Sequence, residues 1–285
     1  MMQREHTPEQ AALRVRTYGQ SGPDVVLLHG GPGAPGYMAP VARRISASFR
    51  VHEPLQRGSS RQPLTVASHV ADLHGHLATL EAQENRPMLV GHSWGAMLAL
   101  AYAATHHQAV ASLVLIGCGT FNLEARQRMA SRRRDGMDDD LKRDLSRLSR
   151  DIPDENERLG AMGDLLLRTY SFDPVETSLE MEGCDARAYH ESWDDMMRLQ
   201  ETGVYPASFA HISIPVLMLH GDVDPHPGHM IRESLKPHLP QLIYHEMKDC
   251  GHYPWLEKNA SREFFITLTA WLNRQSPPWP TTLLG

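Results

Sequence analysis

The chain reads as an α/β protein: a mostly parallel sheet covered by helices on both faces, with a helical segment inserted in it. Three observations carry this. Short apolar runs recur at 25–28, 87–90 and 113–116, separated by stretches of helical spacing, and continuous apolar strands belong to sheets buried on both faces. The alternation returns late, with strands expected at 215–220 and 242–247. Between about 119 and 206 the strand signals vanish and Arg/Asp/Glu-rich helical periodicity takes over.

Taken in order, Val25-Val26-Leu27-Leu28 is rich in β-branched residues and stopped by glycines, which predicts a buried strand. Helical spacing follows over 36–47, then a strand at 49–52. Residues 65–84 predict a helix with Val66, Val70, Leu73, Leu77 and Leu80 on one face. The strand at 87–90 leads directly into Gly91-His92-Ser93-Trp94-Gly95 and an Ala/Leu-rich helix to about Thr105. The inserted stretch predicts helices over 122–134, 141–150, 156–170 and 186–201. The late pattern gives helices over 228–239 and 255–273, and the Pro-rich stretch 276–280 is expected to be extended. This organises the chain as a core of 1–118 and 207–285 around an insertion at 119–206.

Bulk properties narrow the function. A length of 285 residues with 41% hydrophobic content suits a large buried core. The net charge of -6 argues against nucleic acid as a partner. The longest uncharged apolar stretch, around 96–104, is too short to cross a membrane, and the polar start Met1-Met2-Gln3-Arg4-Glu5-His6 is not of signal-peptide type. Three cysteines, Cys118, Cys184 and Cys250, fit buried thiols in a reducing compartment, so a cytoplasmic location is expected. Of the 17 histidines, the pairs His74/His76, His106/His107 and His226/His229 lack partners at metal spacing; no metal and no cofactor is expected.

Gly91-His92-Ser93-Trp94-Gly95 between strand and helix is the chemical centre. A nucleophilic serine needs a sharp strand-to-helix turn that exposes its hydroxyl, and side chains two residues away on either side would clash there. An oxyanion formed by its attack needs two backbone N–H donors. Trp94, next to the serine, is one. His29-Gly30-Gly31-Pro32-Gly33 follows an early strand and supplies the other: Pro32 has no N–H, and Gly31 is preferred over Gly30. The serine also needs a histidine base and a carboxylate behind it, in the order serine, acid, histidine. Asp222 and Asp224 both follow the strand at 215–220, and His252 lies in a loop before the last helix, with His229 and His245 as weaker competitors.

These residues resemble the α/β-hydrolase superfamily over nearly the whole chain. His-Gly-Gly-Pro-Gly at 29–33 with Ser-Trp-Gly at 93–95 is most similar to the proline iminopeptidase branch. The resemblance implies an α/β-hydrolase fold, a helical cap at 119–206, and the acid on the last residue of Gly221 to Asp224. It also implies an acyl-enzyme mechanism through Ser93, Asp224 and His252 with Gly31 and Trp94 as oxyanion donors. The sequence departs from that branch at Leu55-Gln56-Arg57-Gly58-Ser59-Ser60, where an aspartate, a second glycine and a serine are missing and Glu53 is the nearest replacement charge, and at His92, where glycine is usual. An aminopeptidase would also need carboxylates for the substrate's ammonium; Glu176, Glu180, Glu182, Asp185, Glu191, Asp194, Asp195 and Glu201 are the candidates. The expectation is a serine hydrolase of a small ester or amide, with a short peptide among the amides. A carboxylesterase without peptidase activity, a carbon–carbon bond hydrolase and a non-catalytic ligand-binding protein of the same fold are the alternatives.

Overall fold

The computed structural model describes residues 13–81 and 86–276. Residues 1–6 and the Pro-rich 277–280 lie outside them. Among the described residues the strands are β1 (Arg14–Tyr18), β2 (Asp24–Leu28), β3 (Arg50–Leu55), β4 (Met88–His92), β5 (Leu113–Ile116), β6 (Val216–Gly221) and β7 (Leu242–Met247). They form one sheet in the order β1-β3-β2-β4-β5-β6-β7, in which β1 runs antiparallel to β3 and every other pairing is parallel. The protein has the α/β-hydrolase fold.

Strand alternation builds the core. Val25, Leu27, Val51 and Val90 face one layer, closed by α1 (Ala39–Ile45) and α9 (Ala260–Gln275). Val26, Leu28, Leu89 and Leu115 face the other, closed by α2 (Val66–Glu81), α3 (Trp94–His106) and α8 (Gly228–Leu235). From Trp94 to Ala103 every residue of α3 is buried, as an Ala/Leu-rich helix at the centre of a sheet requires.

Between β5 and β6 lie α4 (Leu123–Asp135), α5 (Asp139–Asp151), α6 (Glu155–Tyr170) and α7 (Ala186–Glu201). Each opens on a side-chain cap, from Asn122, Asp138, Asp154 and Asp185, whose oxygens accept the otherwise orphaned first-turn amides. Contacts tie α7 to the core. Asp185 N–H donates to Gly33 O at 2.7 Å, and Asp185 Oδ2 accepts from Ser59 N and Oγ at 2.7 and 2.9 Å.

Some boundaries differ from expectation. The helix expected over 36–47 starts only at Ala39, because Gly36 has a φ of 107°. The one expected to 239 ends at Leu235, just before Pro237. The stretch 255–273 splits into a 3₁₀ turn at Pro254–Leu256 and α9. The edge strand β1 was not foreseen.

Candidate active site

The loops after β2, β4, β6 and β7 all leave the carboxyl edge of the sheet. The first two flank the point where strand order reverses, between β2 and β4, the usual seat of an α/β site. Ser93 sits at the end of β4 with φ 54° and ψ -117°. That conformation is unfavourable for a residue with a side chain, costing about 1–3 kcal/mol, and is held by its surroundings. A Cβ on Gly91 would strike Gly95 O, and one on Gly95 would strike Leu28 O, so both glycines are required by close backbone approach.

As the first residue of α3, Trp94 has no intrahelical acceptor for its amide. Gly30 gives its N–H to Tyr37 Oη at 2.5 Å, whereas Gly31, with φ 45°, lines the cavity beside Ser93. Gln56 braces the two loops: its amide nitrogen donates to His29 O at 2.8 Å, and its carbonyl accepts from Trp94 Nε1 at 2.9 Å.

His252 Nδ1 lies 2.7 Å from Asp224 Oδ2, so Asp224 rather than Asp222 meets the histidine. Asp222 instead accepts the Cys250 amide at 3.2 Å. His245 pairs with Glu263 and His229 with Glu246, both away from Ser93. Burial alone would push Asp224 up, but His252, His226 and His220 around it hold its carboxyl well below the usual range. For His252 burial dominates, pulling it from 6.5 to about 4 against the upward pull of Asp224. A neutral His252 that donates from Nδ1 to Asp224 keeps Nε2 free to accept a proton.

His226 was missed. Its amide and Nδ1 both reach Asp224 Oδ1 at 2.9 Å, and its ring stacks on His252 at 4.5 Å between centroids. The turn Asp224-Pro225-His226, with the aspartate accepting the N–H two residues on, is the sequence signal that could have found it. Asp224, His226 and His252 offer ligand atoms within 4.8 Å of one another, a grouping the sequence spacing did not suggest.

His92 is a junction. A carbonyl only accepts, so the 2.9 Å bond to His252 O puts the proton on His92 Nε2. His92 Nδ1 must then accept from Tyr37 Oη at 2.7 Å, and Tyr37 in turn accepts the Gly30 amide. Burial, with the neighbouring His252, keeps His92 neutral. Gly30, the turn at His92 and Ser93, and the His252 backbone are thereby joined by one oriented chain.

A cavity of about 320 Å³ is lined by Ser93, Gly31, His252 and His226, by Leu159, Met162 and Leu166 of α6, and by Tyr189, Trp193 and Met197 of α7. The charged side chains on it are Arg126 and Arg133 of α4; the carboxylates considered as ammonium ligands are not on it. Glu180 and Glu182 pair with Arg43 and Arg16, while Glu191 and Asp195 accept the Leu64 and Val66 amides at 2.8 Å, where α2 begins. Glu53 is likewise engaged at β1, accepting from Arg16 and Tyr18. Cys118 and Cys250 are buried and burial pushes both thiols up; Cys184 is half-buried. Among the described residues no helix is long and apolar enough to cross a membrane.

The profile of the Alpha/beta hydrolase family matches residues 25–265. The chain is 40% identical over 107 residues to pimeloyl-[acyl-carrier protein] methyl ester esterase of Chromobacterium violaceum, a match spanning 36% of this chain and only 40% of that relative. To the enzyme of the same name from Aromatoleum aromaticum it is 26% identical over 242 residues, 82% of this chain and 92% of the relative. Among solved structures, a thermophilic esterase from Thermogutta terrifontis superposes with a TM-score of 0.62 at 22% identity, covering 93% of this chain and 94% of that one. Proline iminopeptidase of Mycobacterium smegmatis gives 0.61 at 18% identity, with 92% and 94% covered. At these identities the two structures speak for the fold alone.

Proposed function

Because the chain belongs to the alpha/beta hydrolase family, we propose that it is a serine hydrolase cleaving a small ester through Ser93, His252 and Asp224. The observation that carries this is the 2.7 Å bond from His252 to the buried Asp224, on a histidine that shares a cavity with the strained Ser93. In the first half-reaction Ser93 Oγ attacks the ester carbonyl while His252 Nε2 takes its proton, and Asp224 stabilises the imidazolium. The amides of Gly31 and Trp94 receive the charge on the carbonyl oxygen; losing one such donor typically costs about 10²–10³ in rate. Collapse expels the alcohol, which takes the proton from His252 and leaves an acyl-serine. Water, deprotonated by the same nitrogen, then releases the acid and restores Ser93.

An ester is favoured over a peptide bond. Both relatives above are named for methyl ester hydrolysis, and an aminopeptidase needs carboxylates toward the substrate's ammonium, whereas this cavity carries arginines. On the same reading residues 119–206 form a cap over the core of 1–118 and 207–285. Side chains of α4, α6 and α7 on the cavity wall support it. Ser93→Ala is expected to abolish turnover of p-nitrophenyl butyrate, a loss of at least about 10³-fold. A variant that keeps wild-type turnover would overturn the assignment.

A further inference from the structure

We propose that the ester this site takes carries an apolar chain ending in an anionic group, a carboxylate or a phosphate, held by Arg126 and Arg133. The inference rests on the ester-hydrolase reading and names its substrate class. Arg126, Met129 and Arg133 fall at i, i+3 and i+7 of α4, on one face, and all three line the cavity that holds Ser93. Seven residues of helix separate the two arginines by about 10 Å along that wall. The wall between them and Ser93 is dominated by methionine, leucine and aromatic side chains and includes no carboxylate.

Neither guanidinium has a carboxylate partner among the described residues. Arg126 donates to the neutral Gln200 Oε1 at 2.7 Å, and Gln200 is itself fixed by donating to Thr120 O at 3.0 Å. Arg133 lies over the Tyr170 ring, 5.8 Å from its centroid. Both Nε atoms are buried without an acceptor. Arg16 and Arg50, by contrast, are paired with the carboxylates of Glu53 and Asp24. A cation partly withdrawn from water beside apolar surface attracts an anion more strongly than a solvated one. The planar guanidinium also matches the paired oxygens of carboxylate or phosphate. Arg133 further stands where this cavity meets a neighbouring one of about 390 Å³, which shares Leu159, Met162, Leu166 and Tyr189 with it. The apolar chain therefore has a continuous wall to follow from Ser93 toward Arg133.

The test compares kcat/KM for matched pairs. On the acyl side these are p-nitrophenyl hexanoate and the mono-p-nitrophenyl ester of adipate; on the alcohol side, hexyl acetate and the acetate ester of ω-hydroxyhexanoate. The same pairs ending in phosphonate tell which oxyanion is taken. Wild-type enzyme is expected to favour the anionic member of at least one pair by about tenfold to a hundredfold, the strength of a charge-assisted bond. That ratio should fall toward one in Arg126→Gln or Arg133→Gln. Ratios near one for the wild type in every pair overturn the proposal without recourse to a variant, and so does a ratio that survives both substitutions. If the neutral esters are hydrolysed through Ser93 with no anion preference, only this inference fails. If hydrolysis persists in Ser93→Ala, it is the reading of Ser93 as the nucleophile that fails.

Discussion

His252 is pulled in two directions, and the balance sets a pH profile. Burial favours the neutral ring and Asp224 favours the charged one, and burial wins, drawing the group from 6.5 to about 4. In the proposed mechanism the neutral form is the competent base, so activity should be lost as pH falls through the lowered value, not through the ordinary one. The kcat/KM for a neutral ester should therefore stay level from about pH 8 down to about pH 6 and fall only toward pH 4. A half-maximal point at or above 6.5 would contradict this account of the site. Ser93 and His252 could be proposed because each stands at a fixed place in the alternation of strand and helix. That alternation left Asp222 and Asp224 open, and only the resemblance pointed to Asp224, which is the one that meets His252. Tyr37, Gln56, His92 and His226 could not be proposed, since their roles come from contacts between loops far apart in sequence. His92 was noticed only as a departure from glycine; its oriented bonds to Tyr37 and His252 emerge once β4 and the loop after β7 are side by side.

At the scale of elements, the loop bearing His252 is held by the insertion as much as by the sheet. His252 N–H donates to Tyr170 O, the last residue of α6, at 2.6 Å. Glu257, buried, accepts three amides: Gly251 at 2.9 Å, Phe172 at 2.8 Å and Asp173 at 2.7 Å. Removing the carboxylate strands those donors, each worth about 1–3 kcal/mol when left buried and unpaired. Glu257→Ala is expected to lower the unfolding free energy by about 2–4 kcal/mol in urea titration and to reduce kcat more than it raises KM. Unchanged stability together with unchanged kcat would remove Glu257 from the positioning of His252. Sequence periodicity found β2, β4, β5 and β6 as apolar runs, as parallel strands buried on both faces should be. The strand β3, Arg50–Leu55, carries His52, Glu53 and Pro54 and was placed only over 49–52. Periodicity missed β1 because Arg14-Val15-Arg16-Thr17-Tyr18 is a polar edge strand, fixed by pairing with β3 and by the Arg16 to Glu53 ion pair. Helix ends moved where Gly36 and Pro237 overrode the apolar spacing.

For the whole molecule, the alternation of strand and helix along the chain was enough to predict a mostly parallel sheet covered on both faces. The character of the substrate was hidden, because it depends on which faces of α4, α6 and α7 turn inward. Carboxylates on α7 that could have served an ammonium instead cap α2, and two arginines of α4 reach the cavity wall. A residue list gives no warning of such an exchange, since both sets lie on charge-rich helices of similar composition. The central claim remains covalent catalysis at Ser93. It is tested most directly by treating the protein with a fluorophosphonate and mapping the adduct by peptide mass spectrometry. The account predicts a single stoichiometric adduct on the peptide containing Ser93, formed with concurrent loss of ester turnover. An adduct elsewhere, or full inactivation with Ser93 unmodified, would contradict it.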